Sequence, residues 1–296
     1  MLEHVESDIN NLIDQVGYSE ITRLFDSLSG GKRLRAKLVL KIAASSHESI
    51  RLAAIIELIH AASLLHDDVI DEASLRRGVP SVNATEDSKT AVMLGDVLYS
   101  KAFSELVHFS SDIASCIANS VTSLSVGEMM DVKMAEHFNS DADAYMDMLY
   151  LKTATLIEAS AMAAALLAHK DATAYGTYGK NLGLSFQIID DILDIVSDEA
   201  TLGKPAMNDF VEGKCTLPYI YLYEALESSD KERLKSYHAK VLTSEESRWI
   251  RSQMDEHHSI EKAYAVARKL SDEAIASVTG DTELIAIIET MMKRSY

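Results

Sequence analysis

Apolar residues recur at three- and four-residue spacing along most of the chain. The series Leu52, Ile55, Ile56 and Ile59 is a clear example. This spacing places the apolar side chains on one face of a helix, and no segment of five or more residues alternates convincingly in the manner of a strand. The pattern therefore predicts an all-α fold.

Turn signals are sparse, and they separate the predicted helices. They are Ser29-Gly30-Gly31, Arg77-Gly78-Val79-Pro80, Asn139-Ser140-Asp141, Leu202-Gly203-Lys204-Pro205 and Glu212-Gly213-Lys214. Ser228 can begin a helix, and Thr243 with Glu246 forms a predicted capping box. The sequence shows no linker, low-complexity tract or fixed-period repeat. We therefore predict one all-α domain over residues 1–296.

Composition narrows the class of protein. The 296 residues include only 3 Pro and 12 Gly, which disfavours a turn-rich β fold or a Pro-rich disordered chain. Two cysteines, Cys116 and Cys215, cannot build a disulfide framework. The N-terminus is acidic, unlike a signal peptide, and the uncharged stretch 159–168 is half of the ~20 residues that a membrane span needs. We expect a soluble, cytoplasmic protein with at most peripheral membrane contact, and its net charge of −18 argues against a nucleic-acid surface.

Two clusters of aspartates stand at the ends of apolar helical segments. Both have the spacing Asp-Asp-x-x-Asp, and they comprise Asp67, Asp68 and Asp71 and then Asp190, Asp191 and Asp194. The first and last members of each lie on one helix face, where like charges destabilise the helix. One such cluster would suit a solvated helix end, but two copies favour a functional site. Carboxylates with water suit Mg²⁺ or Mn²⁺ rather than zinc.

Basic residues form separate groups in this acidic chain. The largest follows Gly30-Gly31, and the groups comprise Lys32, Arg33, Arg35 and Lys37, then Arg76 and Arg77, then Lys204 and Lys214. Taken alone, the first group would also suit a solvated face. Carboxylates with Mg²⁺ and a set of Arg and Lys side chains are two ways of holding a diphosphate. The sequence therefore indicates two diphosphate substrates in one cavity.

The ordered set of motifs resembles the trans-isoprenyl diphosphate synthase family over about residues 25 to 220. The motifs are Gly-Gly-Lys-Arg-Leu-Arg ending at Arg35, Glu57-Leu-Ile-His60, the first Asp-Asp-x-x-Asp, Arg76-Arg77-Gly78, Gly95-Asp96, Lys152-Thr153, Phe186-Gln187-x-x-Asp-Asp-x-x-Asp and Gly203-Lys204. One departure is Ala36, where many family members have proline. We expect this change to alter the first position of the helix and to leave the ligands intact.

The resemblance implies a single-domain bundle of about ten or more helices around a central cavity. It also implies an Mg²⁺-dependent enzyme that condenses isopentenyl diphosphate head-to-tail with an allylic diphosphate. It implies two or three Mg²⁺ ions, with Mn²⁺ as a substitute, bound by Asp67, Asp71 and Asp190. Asp68, Asp191 and Asp194 would act through water or through the direct ligands.

The resemblance also assigns the remaining side chains. The allylic diphosphate would contact Arg76, Lys152, Lys204 and Lys214. Isopentenyl diphosphate would be held without metal by Lys32, Arg35, His60 and Arg77. The oxygen atoms of Thr153 and Gln187 would stabilise the allylic cation that remains when diphosphate departs.

Product length depends on the helix that leads into Asp67. Ala62 and Ser63 lie one turn deeper than Asp67, and Ile59 lies deeper still. Small residues leave the cavity open, so we expect a medium- to long-chain product, with octaprenyl diphosphate as the best guess. The alternatives are that these residues only let two helices pack closely, and that the product is farnesyl or geranylgeranyl diphosphate. The resemblance also implies a homodimer, for which residues 90–107 and 111–126 offer apolar helices.

Three rival functions remain open at this point. Glu57 with His60 and Glu105 with His108 repeat a Glu-x-x-His motif that ferritin-like di-iron bundles use, but this reading leaves both aspartate clusters unexplained. A terpene cyclase would not need the basic residues at Lys32 and Arg35. A non-catalytic subunit that binds a partner would not need intact aspartate clusters.

Overall fold

The computed structural model describes residues 1–28, 30–196 and 207–293. It is 78% helical, which confirms the predicted all-α fold. In chain order the helices are α1 Leu2–Asp14, α2 Ser19–Asp26, α3 Leu34–Ala43, α4 His47–Ile70, α5 Val82–Thr85, α6 Ser88–Leu106, α7 Ser111–Ala135, α8 Ala142–Leu149, the π-helical turn Tyr150–Ala154, α9 Thr155–Leu167, α10 Ala172–Val196, α11 Asn208–Val211, α12 Leu217–Ala225, α13 Ser228–Tyr237, α14 Ser244–Glu256, α15 Ser259–Ser277 and α16 Thr282–Met292.

Side-chain caps explain where several helices begin. Asp87 accepts a hydrogen bond from the backbone N–H of Thr90 at 2.7 Å at the start of α6. Thr243 and Glu246 form the predicted capping box at the start of α14, with both reciprocal hydrogen bonds present. Each such bond satisfies a backbone N–H that has no partner within the helix.

The chain forms two compact units, each built from two separate segments. The first comprises Met1–Val121 and Glu158–Gly176, and the second comprises Thr122–Ile157 and Thr177–Tyr296. The prediction of one domain over the whole chain stays a prediction.

Helix α4 is the core of the first unit, where it packs against α1, α3 and α6. Its apolar series of Leu52, Ile55, Ile56 and Ile59 is fully buried. This helix is long and apolar enough to cross a membrane by length and composition, although Glu57 interrupts its uncharged residues near the middle. In the structure, 67% of its most apolar window is buried inside the protein.

The second unit has its own core, in which α12 packs against α15. The Phe210 and Tyr219 rings stack there with their centroids 4.3 Å apart. Helix α7 approaches the π-helical turn very closely in this unit, because Gly127 has no side chain and a Cβ atom there would overlap the backbone of Leu151 and Lys152. This contact sets the position of Lys152.

One feature of the first unit differs from the helical expectation. Leu75–Arg76 and Val79–Pro80 form a two-stranded antiparallel hairpin, in which Arg76 pairs with Val79. The two connecting residues, Arg77 and Gly78, both have positive φ, as a tight type I′ turn requires. Strands of two residues are too short to show alternation, although the turn itself was predicted.

Candidate active-site residues

The first aspartate cluster lies at the C-terminal end of α4. Asp71 is exposed and Asp67 is partly exposed, whereas Asp68 is buried. Asp68 accepts hydrogen bonds from the Arg76 guanidinium, including one from Nε at 2.7 Å. Burial, together with the charges of Asp67 and Asp96, raises the pKa of the nearby Tyr99. The buried Asp68 therefore anchors Arg76, and the outer carboxylates face outward.

The hairpin that follows the cluster positions two arginines. Arg76 lies in the first strand and Arg77 lies in the turn. The Arg77 guanidinium packs against Gly31, where the nearest guanidinium nitrogen would lie only 2.7 Å from a Cβ atom. Gly31 is therefore required for this approach, which brings the Gly-Gly-Lys-Arg-Leu-Arg motif and the Arg-Arg-Gly motif together.

Ion pairs fix the start of α3 beside this hairpin. Arg33 precedes the helix with φ of 51° and pairs with Glu6 at 2.6 Å and Glu57 at 3.2 Å. Glu57 also accepts a hydrogen bond from the backbone N–H of Ala36 at 3.0 Å. Ala36 is thus the third residue of α3, and the expectation that it affects the first helical position was wrong. A proline there would remove the N–H that donates to Glu57.

His60 lies among the arginines of the first unit. Burial lowers its pKa well below the usual value, and the charges of Arg35 and Arg77 lower it further. The imidazole is therefore neutral at pH 7, and it can donate or accept a hydrogen bond without adding charge. Lys32, the remaining predicted ligand of isopentenyl diphosphate, is exposed.

The Arg35 side chain is a candidate for direct contact with an anion. Its Nε atom is buried and makes no hydrogen bond to any residue that the structure describes. Burial lowers the pKa of Arg35 to about 10, the nearby Arg77 lowers it as well, and Glu57 opposes both effects. An unpaired buried guanidinium nitrogen is costly, and a phosphate oxygen is well suited to pair with it.

The second aspartate cluster lies near the end of α10. Asp190 is exposed, whereas Asp191 and Asp194 are buried. Asp191 accepts hydrogen bonds from the Tyr145 hydroxyl and from Gln187 Nε2, the latter at 3.0 Å. Burial raises the pKa of Asp191 to about 8, and the charge of Asp209 adds to that rise.

Asp194, in the same unit, accepts its hydrogen bonds from the backbone at the start of α11. Its Oδ2 accepts a hydrogen bond from the backbone N–H of Asp209 at 3.1 Å, and its backbone carbonyl accepts one from Met207 at 2.8 Å. Asp194 therefore holds the start of α11 against α10.

Thr153 and Gln187, the predicted partners of the allylic cation, lie next to each other. The Thr153 hydroxyl is 3.5 Å from Gln187 Oε1, at the limit of a hydrogen bond. Because Gln187 Nε2 donates to Asp191, its carbonyl oxygen points the other way, toward Thr153. This orientation presents oxygen atoms rather than N–H groups, as stabilisation of a cation requires.

The predicted lysine ligands have different surroundings. Lys152 Nζ pairs with Asp131 at 2.5 Å and with Glu128 at 2.8 Å. Lys214 pairs with Glu212 at 3.0 Å. Lys204 lies outside the described residues.

The small residues before the first cluster are all buried. Ala62 and Ile59 have no exposed surface, and Ser63 is almost fully buried. The Ser63 hydroxyl donates to the backbone carbonyl of His60 at 2.9 Å. Ala62 and Ser63 therefore place no bulky side chain at these two positions of α4.

The outer carboxylates of each cluster fit the binding of a divalent metal ion that is completed by substrate. Within the described residues, no group of three or more His, Cys, Asp or Glu side chains is placed to hold a metal ion by itself. Mg²⁺ is bound by one or two carboxylates together with phosphate oxygens and water, rather than by a cage of protein ligands. The outer carboxylates of Asp67, Asp71 and Asp190 suit that mode.

The surroundings of the two Glu-x-x-His motifs disfavour a di-iron site. Glu57 pairs with Arg33 and accepts a hydrogen bond from the backbone N–H of Ala36. Glu105 pairs with Arg51 at 2.9 Å and with Lys101 at 2.7 Å. Both glutamates therefore neutralise cationic side chains.

Several site residues were missed by the sequence analysis. They are Glu6, Tyr145, Glu128, Asp131 and Asp209. A signal existed for two of them, because Glu128 and Asp131 are acidic residues three apart, on one face of a single predicted helix. Tyr145, Glu6 and Asp209 carry no signal, since their partners are distant in sequence.

The matching family model, the curated relatives and the similar solved structures agree on one family of enzymes. The family model of polyprenyl synthetases matches residues 19–254. A short chain isoprenyl diphosphate synthase of Methanothermobacter thermautotrophicus is 35% identical over 79% of this chain and 76% of its own. The crystal structure of octaprenyl pyrophosphate synthase from Helicobacter pylori is 41% identical and superimposes with a TM-score of 0.92, covering 99% of this chain and 97% of that one.

A third similar structure was solved with ligands. It is a polyprenyl synthase from Caulobacter crescentus complexed with calcium and isoprenyl diphosphate, 29% identical, with a TM-score of 0.87 over 100% of this chain and 94% of that one. The fold, the motifs and these three relatives agree.

Proposed function

The chain belongs to the polyprenyl synthetase family and is a prenyltransferase, and we propose that it joins isopentenyl diphosphate head-to-tail to an allylic diphosphate to give an all-trans polyprenyl diphosphate. The observation that carries this proposal is the group of Arg35, Arg77 and neutral His60, with a buried guanidinium nitrogen that lacks a partner. Such a group suits an anion held without metal, which is the second substrate that distinguishes this reaction from a terpene cyclisation.

We propose that the aspartate clusters bind the divalent metals that this family uses, with Mg²⁺ as the physiological ion. Asp67, Asp71 and Asp190 are the direct ligands, and Asp68 and Asp191 are held by hydrogen bonds at their sides. The bound ions supply electrostatic stabilisation of the leaving diphosphate. Arg76, Lys152 and Lys214 add positive charge for the same group, together with Lys204.

The remaining residues act on the organic part of the substrates. Lys32, Arg35, His60 and Arg77 orient isopentenyl diphosphate so that its double bond meets the allylic carbon. The oxygens of Thr153 and Gln187 face the developing cation, and their dipoles stabilise it. The departing diphosphate takes up the proton that is lost as the new bond forms.

The proposed activity is tested with labelled isopentenyl diphosphate and an allylic primer. The purified protein, with Mg²⁺, is offered farnesyl or geranylgeranyl diphosphate, and the products are separated by chromatography. We expect elongation that stops when Mg²⁺ is chelated. A lack of elongation with either primer would overturn the proposal, as would activity that requires iron instead.

We propose octaprenyl diphosphate as the product, with farnesyl or geranylgeranyl diphosphate as the alternatives. The proposal rests on the small buried residues Ala62 and Ser63, and one of the similar structures is an octaprenyl pyrophosphate synthase. We expect Ala62→Phe and Ser63→Phe to shorten the product, because a ring one turn below Asp67 would block a growing chain. If both variants make the wild-type product, these residues do not limit the chain.

We also propose that the enzyme is a cytoplasmic homodimer. Helix α6 exposes Val92 and Met93, and α7 exposes Val126, Met129 and Val132, which is a large amount of apolar surface for solvent-facing helices. Light scattering on the wild type and on Met93→Lys and Met129→Lys tests the dimer, because a charge in its interface would give monomers. Wild-type monomers would contradict it. Fractionation of cells tests the location.

A further inference from the structure

A buried ion-pair triad holds Lys152 in the second unit. Lys152 Nζ lies 2.5 Å from Asp131 Oδ2 and 2.8 Å from Glu128 Oε2. The two acidic residues are each only 6% exposed, and about a fifth of the lysine side chain reaches solvent. The proposed function places Lys152 at the allylic diphosphate, but it assigns no role to Glu128 or Asp131.

The backbone brings the three side chains together. Glu128 and Asp131 are three residues apart on α7 and therefore lie on one face of that helix. The preceding residue, Gly127, lets α7 touch the backbone of Leu151 and Lys152. Lys152 itself lies in the π-helical turn Tyr150–Ala154. π-helical turns insert one extra residue and are frequent at functional sites.

The charges in the triad determine the protonation of the lysine. Burial alone would lower the pKa of Lys152, but Asp131 and Glu128 reverse that effect, and the pKa lies above the usual value. A neutral lysine could not stabilise a leaving diphosphate.

We propose that Glu128 and Asp131 are positioning residues, which hold the Lys152 ammonium between them and aim it at the allylic diphosphate. This inference rests on the proposed function. Neither carboxylate touches substrate, and each acts through Lys152. Asp131 makes the shorter contact, so its removal has the larger effect.

Kinetics separate this role from a purely structural one. We expect Asp131→Asn and Glu128→Gln to lower kcat/KM for the allylic substrate by about 10–100-fold, the range for residues that orient a ligand, and to leave KM for isopentenyl diphosphate within about twofold. Asp112→Asn is the matched control, because Asp112 is an exposed acid on the same helix. The control should behave as wild type.

A double-mutant cycle tests whether the effect passes through the lysine. In a Lys152→Met background, Asp131→Asn should cause almost no further loss, because the group it positions is gone. Additive losses would overturn the inference. Asp131→Glu keeps the charge and should restore part of the activity, whereas a residue that only fills space would be replaced equally well by Asn.

Chemical labelling gives a readout that needs no catalysis. Lys152 is acylated over a series of pH values, and the extent is measured by mass spectrometry of the digested protein. In the Glu128→Gln/Asp131→Asn protein, we expect Lys152 to become reactive at lower pH than in wild type. Thermal unfolding of each variant establishes that it is folded.

The outcomes distinguish the two proposals. A wild type that elongates no primer overturns the proposed function, even where Lys152 labelling shifts as expected. Normal elongation by wild type, with unchanged kinetics and unchanged labelling in the double variant, overturns the inference alone.

Discussion

The two aspartate clusters share the pattern Asp-Asp-x-x-Asp but lie in opposite electrostatic surroundings. In the first, the buried Asp68 pairs with the charged Arg76, and further arginines stand close by. In the second, the buried Asp191 accepts hydrogen bonds from the neutral donors Tyr145 and Gln187. The two motifs share one spacing, but a charged partner holds the buried aspartate of the first and neutral hydrogen-bond donors hold that of the second.

Burial favours the neutral form of one titratable group in each region, and the neighbouring charges that add to this effect have opposite signs. Burial and the nearby arginines lower the pKa of His60 in the first region. In the second region, burial and the charge of Asp209 raise the pKa of Asp191 to about 8. The first region can hold an anion directly through its arginines. The second is rich in carboxylates, so metal cations must offset their charge before it can hold an anion.

Removal of an outer carboxylate should have the largest effect. Asp190→Asn is expected to lower kcat/KM by about 10²–10³-fold, because a metal ligand that stabilises the leaving group is lost. Steady-state kinetics with saturating Mg²⁺ measures it. Asp147→Asn, an exposed acid of the same unit, is the control. If Asp190→Asn retained wild-type activity, the second cluster would not be the metal site.

Loss of Arg35, whose Nε atom is buried, should have the next largest effect. Arg35→Met is expected to raise KM for isopentenyl diphosphate by about 10–100-fold, since a hydrogen bond to a charged group contributes ~1.5–3 kcal/mol. KM for the allylic substrate should change little. The exposed Arg248 provides the matched control, Arg248→Met. Equal changes in both KM values would mean that the two regions are not separate.

The charged support of the first cluster should matter more for stability than the neutral support of the second. Arg76→Met leaves the buried Asp68 without its cation and should lower the free energy of unfolding by about 1–3 kcal/mol, given that a third of the Arg76 side chain is exposed. Urea denaturation measures the change. Adding Asp68→Asn to this variant should recover part of the loss, and no recovery would argue against the pair.

Removing a neutral hydrogen-bond donor to Asp191 should lower the free energy of unfolding by less than removing Arg76 does. Tyr145→Phe deletes one hydroxyl donor to Asp191 and should lower the free energy of unfolding by about 1 kcal/mol, as for a typical buried hydrogen bond. The same denaturation experiment applies, with Tyr18→Phe as an exposed control. A loss larger than that of Arg76→Met would reverse the comparison between the clusters.

The smallest effect is a dependence on pH through His60. The native pKa of His60 is lowered, so the unfolded chain binds a proton that the native protein excludes. Its contribution to stability is therefore present above pH ~6.5, the value for an unfolded chain, and is lost as the pH falls below it. Between pH 7 and 5.5, wild type should lose about 1 kcal/mol more than His60→Asn. Parallel pH profiles of the two proteins would contradict this.

The sequence was most informative where a feature depends on neighbours along the chain. The helical period, the capping box at Thr243 and the position of both aspartate clusters at helix ends were all predicted, because each is a pattern within a few residues. The turn at Arg77 and Gly78 was predicted for the same reason. The two-residue strands beside it were not, since no periodicity fits in two residues.

The supports of the site could not be predicted, because they depend on tertiary contacts. Tyr145 reaches Asp191 across 46 positions of sequence, and Glu57 reaches Ala36 across 21. Nothing near either residue indicates its partner. Ala36 shows the consequence, since its place in the motif suggested an effect on the first helical position, whereas it is the third residue of α3 and its N–H donates to the buried Glu57 carboxylate.

Calorimetric titration with inorganic diphosphate tests most directly whether the two regions bind anions in different ways. Without Mg²⁺, one equivalent should bind, and Arg35→Met should abolish it. With Mg²⁺, a second equivalent should bind, and Asp190→Asn should abolish that one alone. Metal-free binding that survives Arg35→Met, or a second equivalent that survives Asp190→Asn, would contradict the account.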